Sequence, residues 1–393
     1  MKRILAFLFC IVSAACAQAQ SLVPPERLET VKHAFESLPK RMSLDCKITP
    51  FEPVLGFDLE YDSGFIIEFP LAEFEGKQTN LDAYVQITAP GSAPVFLGEG
   101  YRIREVPPSV DANVRPRLRA GGGFSVGEGS YRVELLVVDE HSRSCWKRWM
   151  INAAGGRFQA NMKPALPPGT VSPTVGSRWQ GKLVEGGLRV TILIDASPTN
   201  PGQPVLHEWD LSYLLRSLSS LLEQVRCSSV RVVAFNLEEQ KEIFRADRFD
   251  RAALHDLSHA LRNFDLWAIP YQSLERNRPT DFLAELVNKE LTLEERSDAV
   301  IFLGPNTRIF RKPPSGILQP GGGRAPQFFY FEYFHSIGGD FRGHAEFPDS
   351  IHYLTNALHG TVFTIHSPGD FLKDISKMLS QLRPVDTKKP SAQ

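Results

Sequence analysis

Three oxygen-bearing side chains stand at alternate positions directly after an apolar run near the middle of the chain. The run covers residues 188–194 and is rich in β-branched residues. It stops at Asp195, Ser197 and Thr199, and Pro198 prevents extended pairing from continuing. Carboxylate and hydroxyl oxygens are the donors that hard cations such as Mg²⁺ prefer. The cluster is therefore a candidate site for a divalent cation.

The apolar run has the pattern of a strand that is buried on both faces of a parallel sheet. An open sheet of this kind binds ligands in the crevice beyond the carboxyl ends of its strands, which is where Asp195 would lie. The cluster also suits a simpler role, because Asp, Ser and Thr hydrogen-bond the backbone N–H groups of a turn. The sequence leaves both interpretations open.

Strand and helix patterns alternate from Gly187 onwards, which predicts a doubly wound α/β domain over residues 187–383. A frayed, disordered tail is expected at 384–393. The predicted elements are strand 188–194, helix 211–225, strand 230–235, edge strand 241–244, helix 250–263, helix 280–291, strand 299–303, strand 327–334, helix 350–358, strand 361–365 and helix 368–382.

The N-terminal half has a different rhythm. Short β-forming segments separated by Gly, Pro and Asp turns predict an all-β sandwich over residues 43–152. A helical segment is expected before it at 20–42, and a Pro- and Gly-rich linker after it at 153–186. The chain is thus predicted to be multi-domain. A fragment that starts near Ser177 is expected to fold alone.

The first residues indicate export. Two basic residues, an apolar stretch over 4–15 and a small-x-small cleavage site at 17–19 predict a signal peptide over residues 1–19. The expected location is secreted or periplasmic. Cys16 leaves a lipoprotein anchor open as an alternative. No later apolar stretch is long enough to predict a transmembrane segment.

Three cysteines lie beyond the predicted signal peptide. Cys46 and Cys145 flank the predicted β-sandwich, so in an oxidising compartment they are expected to form a disulfide. Cys227 is left over. None of the three has the Cys-x-x-Cys spacing of a structural zinc site.

Composition narrows the classes of partner. Lys and Arg total 44 against 45 Asp and Glu, which gives a net charge of -1 at pH 7. Such a balance argues against nucleic acid and anionic membranes as partners. A protein or a cell-surface ligand is the expected partner, and the oligomeric state is not readable from the sequence.

The order of elements and the Asp-x-Ser-x-Thr motif resemble the von Willebrand factor A family. That family has a metal-ion-dependent adhesion site with the motif Asp-x-Ser-x-Ser, a Thr from a second loop and an Asp from a third loop. The resemblance implies that Asp195, Ser197, Thr199 and Thr280 are metal ligands. In the N-terminal half, residues 129–131 resemble the late strand of bacterial immunoglobulin-like domains.

The third loop departs from the family pattern. It reads Gly304-Pro305, which has no side-chain donor. The resemblance therefore implies a degenerate adhesion site, with Mg²⁺ as the possible but weakly bound cofactor.

These observations predict a secreted, non-catalytic protein of the binding or adhesion type, which uses the crevice at Asp195. Two alternatives remain open. One is a hydrolase that uses the same crevice with Asp195 as a base, and the other is a structural scaffold of the cell envelope. The sequence has no phosphate-binding loop motif.

Overall fold

The computed structural model describes residues 21–38, 43–76, 78–103, 117–154, 165–173, 179–198, 206, 208–264, 279–307, 309–314, 316–319, 325–334 and 347–382. The chain divides into two compact units. The first comprises Met1–Leu55 and Leu59–Gly176, and the second comprises Gly56–Asp58 and Ser177–Gln393.

The first unit is built from antiparallel sheets. Its strands are β1 (Ser21–Leu22), β2 (Lys47–Leu55), β3 (Tyr61–Pro70), β4 (Thr79–Thr88), β5 (Val95–Ile103), β6 (Arg117–Val126), β7 (Gly129–Asp139), β8 (Ser144–Ala153) and β9 (Val171–Pro173). One sheet has the order β1-β5-β4-β7-β8 and the other has the order β2-β3-β6-β9. Alternate residues of β4 are buried, because successive side chains of a strand point to opposite faces. Both sheets contribute to one core, with Phe65, Val85 and Phe124 among its members.

Two helical segments accompany these sheets. Helix α1 (Pro25–Glu36) lies within the segment expected to be helical, and Pro25 is placed at its first turn, where no backbone N–H is needed. Val31 and Phe35 of α1 pack with Phe96 in a separate small cluster. A short 3₁₀ helix covers Leu71–Phe74.

The predicted disulfide is confirmed. Cys46 and Cys145 are bonded and lie 99 residues apart in the sequence. In the chain-entropy model, closure of a loop this long stabilises the folded state by roughly 4–5 kcal/mol. Cys227 is a free, buried thiol.

Within its described residues, the second unit contains one six-stranded sheet with helices. The strands are β10 (Leu188–Asp195), β11 (Cys227–Asn236), β12 (Lys241–Ala246), β13 (Ala299–Pro305), β14 (Gln327–Tyr333) and β15 (Thr361–Ile365), and the helices are α2 (Glu208–Gln224), α3 (Arg251–Arg262), α4 (Pro279–Thr292), α5 (Ser350–Ala357) and α6 (Pro368–Gln381). The strand order is β12-β11-β10-β13-β14-β15. Ile192 and Ile194 of β10 belong to one core cluster and Leu193 to another, so β10 is buried on both faces. No helix within the described residues is both long and apolar enough to cross a membrane.

The predicted fold class, an all-β sandwich followed by a doubly wound α/β domain of the von Willebrand factor A type, is wrong for this chain. Of the residues that the structure describes, 41% are in strands, which form three sheets, and 28% are in helices, so this part of the chain is mostly β. Its C-terminal sheet is mixed, because β12 pairs antiparallel with β11 whereas the other neighbours are parallel. The physical reason is the short connection over 237–240, since so short a turn can only return the chain antiparallel.

The stretch interpreted as a linker, residues 153–186, contains structured parts. Val171–Pro173 forms β9 and pairs with β6 in the first unit. Trp179 belongs to the core of the second unit, where its ring stacks on Phe249 with centroids 5.4 Å apart. The two units meet in sequence between Gly176 and Ser177. Proline and glycine content alone could not reveal these contacts.

Phe57 belongs to the core of the second unit, although it lies far from the rest of that unit in sequence. Its side chain is 1% exposed. Its ring lies 5.6 Å from Tyr213, 5.2 Å from Tyr333 and 5.6 Å from Phe371, measured between centroids. A fragment that starts near Ser177 therefore lacks one of the aromatic residues of its own core.

We predict that Phe57→Ala destabilises the second unit by roughly 3–5 kcal/mol, because it leaves a cavity among three aromatic rings. Urea unfolding of the full chain measures the change. Phe347→Ala, at a ring that is largely in water, is the matched control and should leave the unfolding midpoint nearly unchanged. Equal midpoints for Phe57→Ala and the wild type would contradict the assignment of Phe57 to this core.

Candidate functional site

Asp195 is the last residue of β10, and its position follows from the burial of that strand. β10 lies between the parallel strands β11 and β13, and Asp195 pairs in register with Phe235. The carboxyl ends of these strands meet at one edge of the sheet. We call this edge, formed by Asp195, Asn236, Pro305 and Tyr333, the carboxyl edge. The Asp195 side chain is 1% exposed there, so a rigid strand holds a carboxyl group shielded from water.

Hydrogen bonds fix the turn that follows β10. Asn236 Nδ2 donates to the Ala196 carbonyl oxygen at 2.9 Å. The Ser197 hydroxyl donates to Asp195 Oδ1, also at 2.9 Å. The predicted Asp–Ser pair is thus in direct contact, a geometry that suits both a capped turn and a ligand site. Thr199 lies outside the described residues.

The second carboxyl oxygen of Asp195 has a different environment. Asp195 Oδ2 is buried and has no hydrogen-bond partner among the described residues. A buried polar atom without a partner costs about 1–3 kcal/mol, and the cost is larger if the group is ionised. A proton, a cation or a donor group from a ligand would compensate for this burial.

Burial raises the pKa of Asp195 well above its ordinary value of 3.8. The hydrogen bonds from the Ser197 hydroxyl and the Leu237 backbone N–H lower this pKa, whereas the negative charges of Asp349 and Glu238 raise it further. Burial also raises the pKa of Asp349. The carboxyl edge therefore disfavours negative charge on both aspartates unless a positive charge is close by.

The close packing of β13 on β10 explains the glycine in the third loop. A Cβ atom at Gly304 would lie 2.8 Å from the Asp195 carbonyl oxygen and 2.9 Å from Asp195 Cβ, so a side chain there would clash. The next polar residue, Asn306, donates from Nδ2 to Glu332 Oε1 at 2.6 Å and to the Phe347 carbonyl oxygen at 3.1 Å. Its amide nitrogen thus holds the loop in place.

Thr280 is the second residue of α4 and is 1% exposed. Phe282, one half-turn later, packs its ring against Phe235 with centroids 6.3 Å apart. Because Phe235 is the register partner of Asp195, the first turn of α4 lies at the carboxyl edge. The role of Thr280 as a metal ligand stays a prediction.

A second buried carboxylate, Asp349, was not foreseen from the sequence. It is the N-cap of α5, where its Oδ1 accepts from the His352 N–H at 2.8 Å. Its Oδ2 accepts from the Thr307 N–H at 2.8 Å and from the Tyr330 hydroxyl at 3.1 Å. The one sequence signal is an Asp directly before a helix, which is typical of an N-cap. An N-cap pattern does not predict that Asp349 interacts with Asp195.

Two exposed phenylalanines lie near Asp349. Phe310 is 52% exposed and Phe347 is 61% exposed, and their rings form a T-shaped pair with centroids 6.0 Å apart. The Ser350 hydroxyl fixes the backbone around Phe310, because it lies within hydrogen-bond distance of the carbonyl oxygens of Ile309 and Arg311, at 2.7 and 2.8 Å. Aromatic side chains are enriched at protein interfaces. Sequence patterns could not reveal that these rings face water.

The donors at the carboxyl edge are oxygens, and they fit a hard cation better than a soft one. Asp195 supplies an unpartnered carboxyl oxygen, and Ser197 supplies a hydroxyl beside it. Among the described residues, no group of three or more His, Cys, Asp or Glu side chains is placed to hold a metal ion. A cation at Asp195 would therefore depend on hydroxyl oxygens and water as well.

Comparisons with known proteins give no family. No family model matches the chain, and no curated protein matches it. The X-ray structure of a Northeast Structural Genomics Consortium target is 13% identical, with a TM-score of 0.17, over 29% of this chain and 88% of that one. Bacteroides uniformis β-glucuronidase 2 is 9% identical, with a TM-score of 0.20, over 73% of this chain and 36% of that one. Scores this low support no inference about fold or function, and these neighbours do not indicate a von Willebrand factor A domain.

The raised pKa of Asp195 predicts a pH dependence of stability. An Asp in the unfolded chain loses its proton near pH 4. Because the pKa of Asp195 is raised in the native state, the folded protein keeps this proton over a pH range above that value. The contribution of Asp195 to the free energy of unfolding is fully present below that pH range, and it is lost as the pH rises through the pKa that Asp195 has in the folded state. Asp195→Asn, which cannot titrate, should therefore show a smaller fall in the free energy of unfolding between pH 4 and pH 7.

Urea unfolding in buffer that contains a chelator measures this difference. Asp250→Asn is the matched control, because Asp250 caps α3 and its carboxyl oxygen accepts from the Ala253 N–H at 2.9 Å. This control should follow the wild-type pH profile. The same profile for Asp195→Asn and the wild type would show that Asp195 titrates normally.

Proposed function

We propose that this chain is an exported, non-catalytic binding protein that holds a protein or cell-surface ligand at the carboxyl edge of its second unit. The observation that carries the proposal is the buried Oδ2 of Asp195, which has no hydrogen-bond partner among the described residues and lies at the end of a strand whose last six residues are buried. Natural proteins seldom leave such an atom unsatisfied. Where they do so at the ligand-binding edge of a parallel sheet, ligand binding is the role that explains the cost.

The residues at the edge suit cation-assisted binding. A Mg²⁺ ion held there would supply the positive charge that attracts a carboxylate of the ligand. Asp195 would provide the anionic oxygen, and Ser197, Thr199 and Thr280 would provide hydroxyl oxygens. The Asn236 hydrogen bond keeps Ala196 in place, so the Asp195–Ser197 pair is already ordered before a ligand arrives. Ordering in advance lowers the free-energy cost of binding.

The Phe310–Phe347 pair supports a protein as the ligand. Exposed aromatic rings gain free energy when a partner removes them from water. Arg311, which follows Phe310, is exposed and adds a positive charge beside the pair. An acidic partner segment with an apolar residue would match both features.

Two observations support export. The predicted signal peptide occupies residues 1–19, and the Cys46–Cys145 disulfide forms stably in oxidising compartments outside the cytoplasm. A secreted or periplasmic location is therefore part of the proposal.

The hydrolase alternative keeps one observation in its favour. A carboxyl group with a raised pKa in a crevice is a known feature of general acids and bases. The hydrolase alternative predicts that the bound molecule is cleaved, whereas the binding proposal predicts that it stays unchanged.

Capture from the native envelope or extracellular fraction tests the proposal. Immobilised wild-type protein is incubated with the fraction in the presence of Mg²⁺, and bound species are identified by mass spectrometry. We predict that Asp195→Ala and Phe347→Ala each reduce capture of the same species at least about tenfold, since loss of an interface anchor costs about 2 kcal/mol or more.

Met150→Ala is the matched control, because Met150 is also 61% exposed but lies in the first unit. It should retain capture. Species that bind Asp195→Ala and Phe347→Ala as well as the wild type would contradict a binding site at the carboxyl edge. Cleavage of a bound species would favour the hydrolase alternative.

A further inference from the structure

One carboxylate is a weak basis for holding a divalent cation. Mg²⁺ loses its hydration water reluctantly and is usually held by one or two carboxylates together with water and ligand oxygens. Gly304 cannot supply the second charge, because close packing against Asp195 leaves no room for a side chain. The second charge must come from another element at the carboxyl edge.

A continuous set of contacts leads from Asp195 to Asp349. Gly304 packs against the Asp195 backbone, and Pro305 follows it directly. The Pro305 carbonyl oxygen lies 3.2 Å from the Tyr330 hydroxyl, which donates to Asp349 Oδ2 at 3.1 Å. The two aspartates also interact electrostatically. Asp349, the N-cap of α5, is thus a second carboxylate near Asp195.

The charges around the two aspartates are mostly negative. Glu238 raises the pKa of Asp195, and Glu332 acts on Tyr330 in the same sense. His352 Nδ1 lies 3.2 Å from Glu332 Oε2. The exposed Arg311, whose backbone bonds the Ser350 hydroxyl, is a second basic residue beside Asp349. A local excess of negative charge attracts cations.

The unpartnered Asp195 Oδ2 is independent evidence for a ligand here. It belongs to a side chain that is 1% exposed, and its sister oxygen already accepts from Ser197. If every carboxyl oxygen of Asp195 and Asp349 were bonded to the protein, helix capping and turn formation would explain both residues. Asp195 Oδ2, however, takes part in neither a helix cap nor a turn.

We propose that Asp349 supplies the second negative charge of a divalent-cation site centred on Asp195. The inference rests on the proposed function and names the residue that supplies the second charge. Asp349 is a positioning residue whose N-cap contacts fix its carboxylate at the carboxyl edge. Its charge strengthens the attraction for a cation that Asp195 Oδ2 contacts.

Titration calorimetry with Mn²⁺ on the full chain tests the inference. Asp349→Asn removes the charge and keeps a residue that caps helices well. We expect it to weaken Mn²⁺ binding about 10- to 100-fold, the usual effect of losing a supporting group of a metal site. Asp250→Asn, which makes the same change at the N-cap of α3, should bind Mn²⁺ as the wild type does.

Asp349→Ser is a second variant, because the amide of Asn faces the Thr307 N–H and could disturb the fold. Serine also caps helices and removes the same charge. Near-UV circular dichroism establishes which variant keeps the native packing, and that variant decides the result.

Wild-type affinity in a folded Asp349 variant would overturn the inference, as would an equal loss in Asp250→Asn. Absence of Mn²⁺ binding in the wild type would overturn it too, whereas capture that needs no divalent ion would leave the binding function intact.

Discussion

The second unit depends on one constraint: a carboxyl group is buried at the end of a strand that is itself buried on both faces. Ile192, Leu193 and Ile194 anchor β10 between two core clusters, so Asp195 cannot move towards water without disturbing the core. Ser197 satisfies one carboxyl oxygen, and the other has no partner among the described residues. The free-energy cost of that burial has to be offset by a proton or by a positive charge.

Several features of the carboxyl edge follow from this constraint. Gly304 is small because β13 packs directly on Asp195. Asp349 and Glu238 add negative charge instead of neutralising it, which would be unfavourable for a purely structural aspartate. The Phe310–Phe347 pair places exposed aromatic surface near Asp349. Together these features describe an edge that gains free energy when a cation and a ligand occupy it.

The sequence predicted the parts of this arrangement that local patterns encode. The β10 strand, the Asp195–Ser197 pair and the Cys46–Cys145 disulfide could be read from hydrophobicity, spacing and compartment. The contribution of Phe57 to the second core could not, because it joins residues that are distant in the chain. The position of Asp349 at the carboxyl edge could not be predicted for the same reason, since an Asp before a helix indicates an N-cap but not where that helix packs.

The fold class was wrong because periodicity assigns each segment without fixing how the strands pair. The antiparallel pairing of β12 with β11 follows from the short connection between them, whereas the large share of strand becomes visible only in the folded chain.

An anomalous difference map from crystals soaked in Mn²⁺ tests the central claim most directly. We predict a Mn²⁺ peak at coordination distance from Asp195 Oδ2. Crystals of Asp195→Asn treated in the same way should lack this peak. A wild-type map with no peak at the carboxyl edge, and with Asp195 Oδ2 bonded only to its own chain, would contradict the claim.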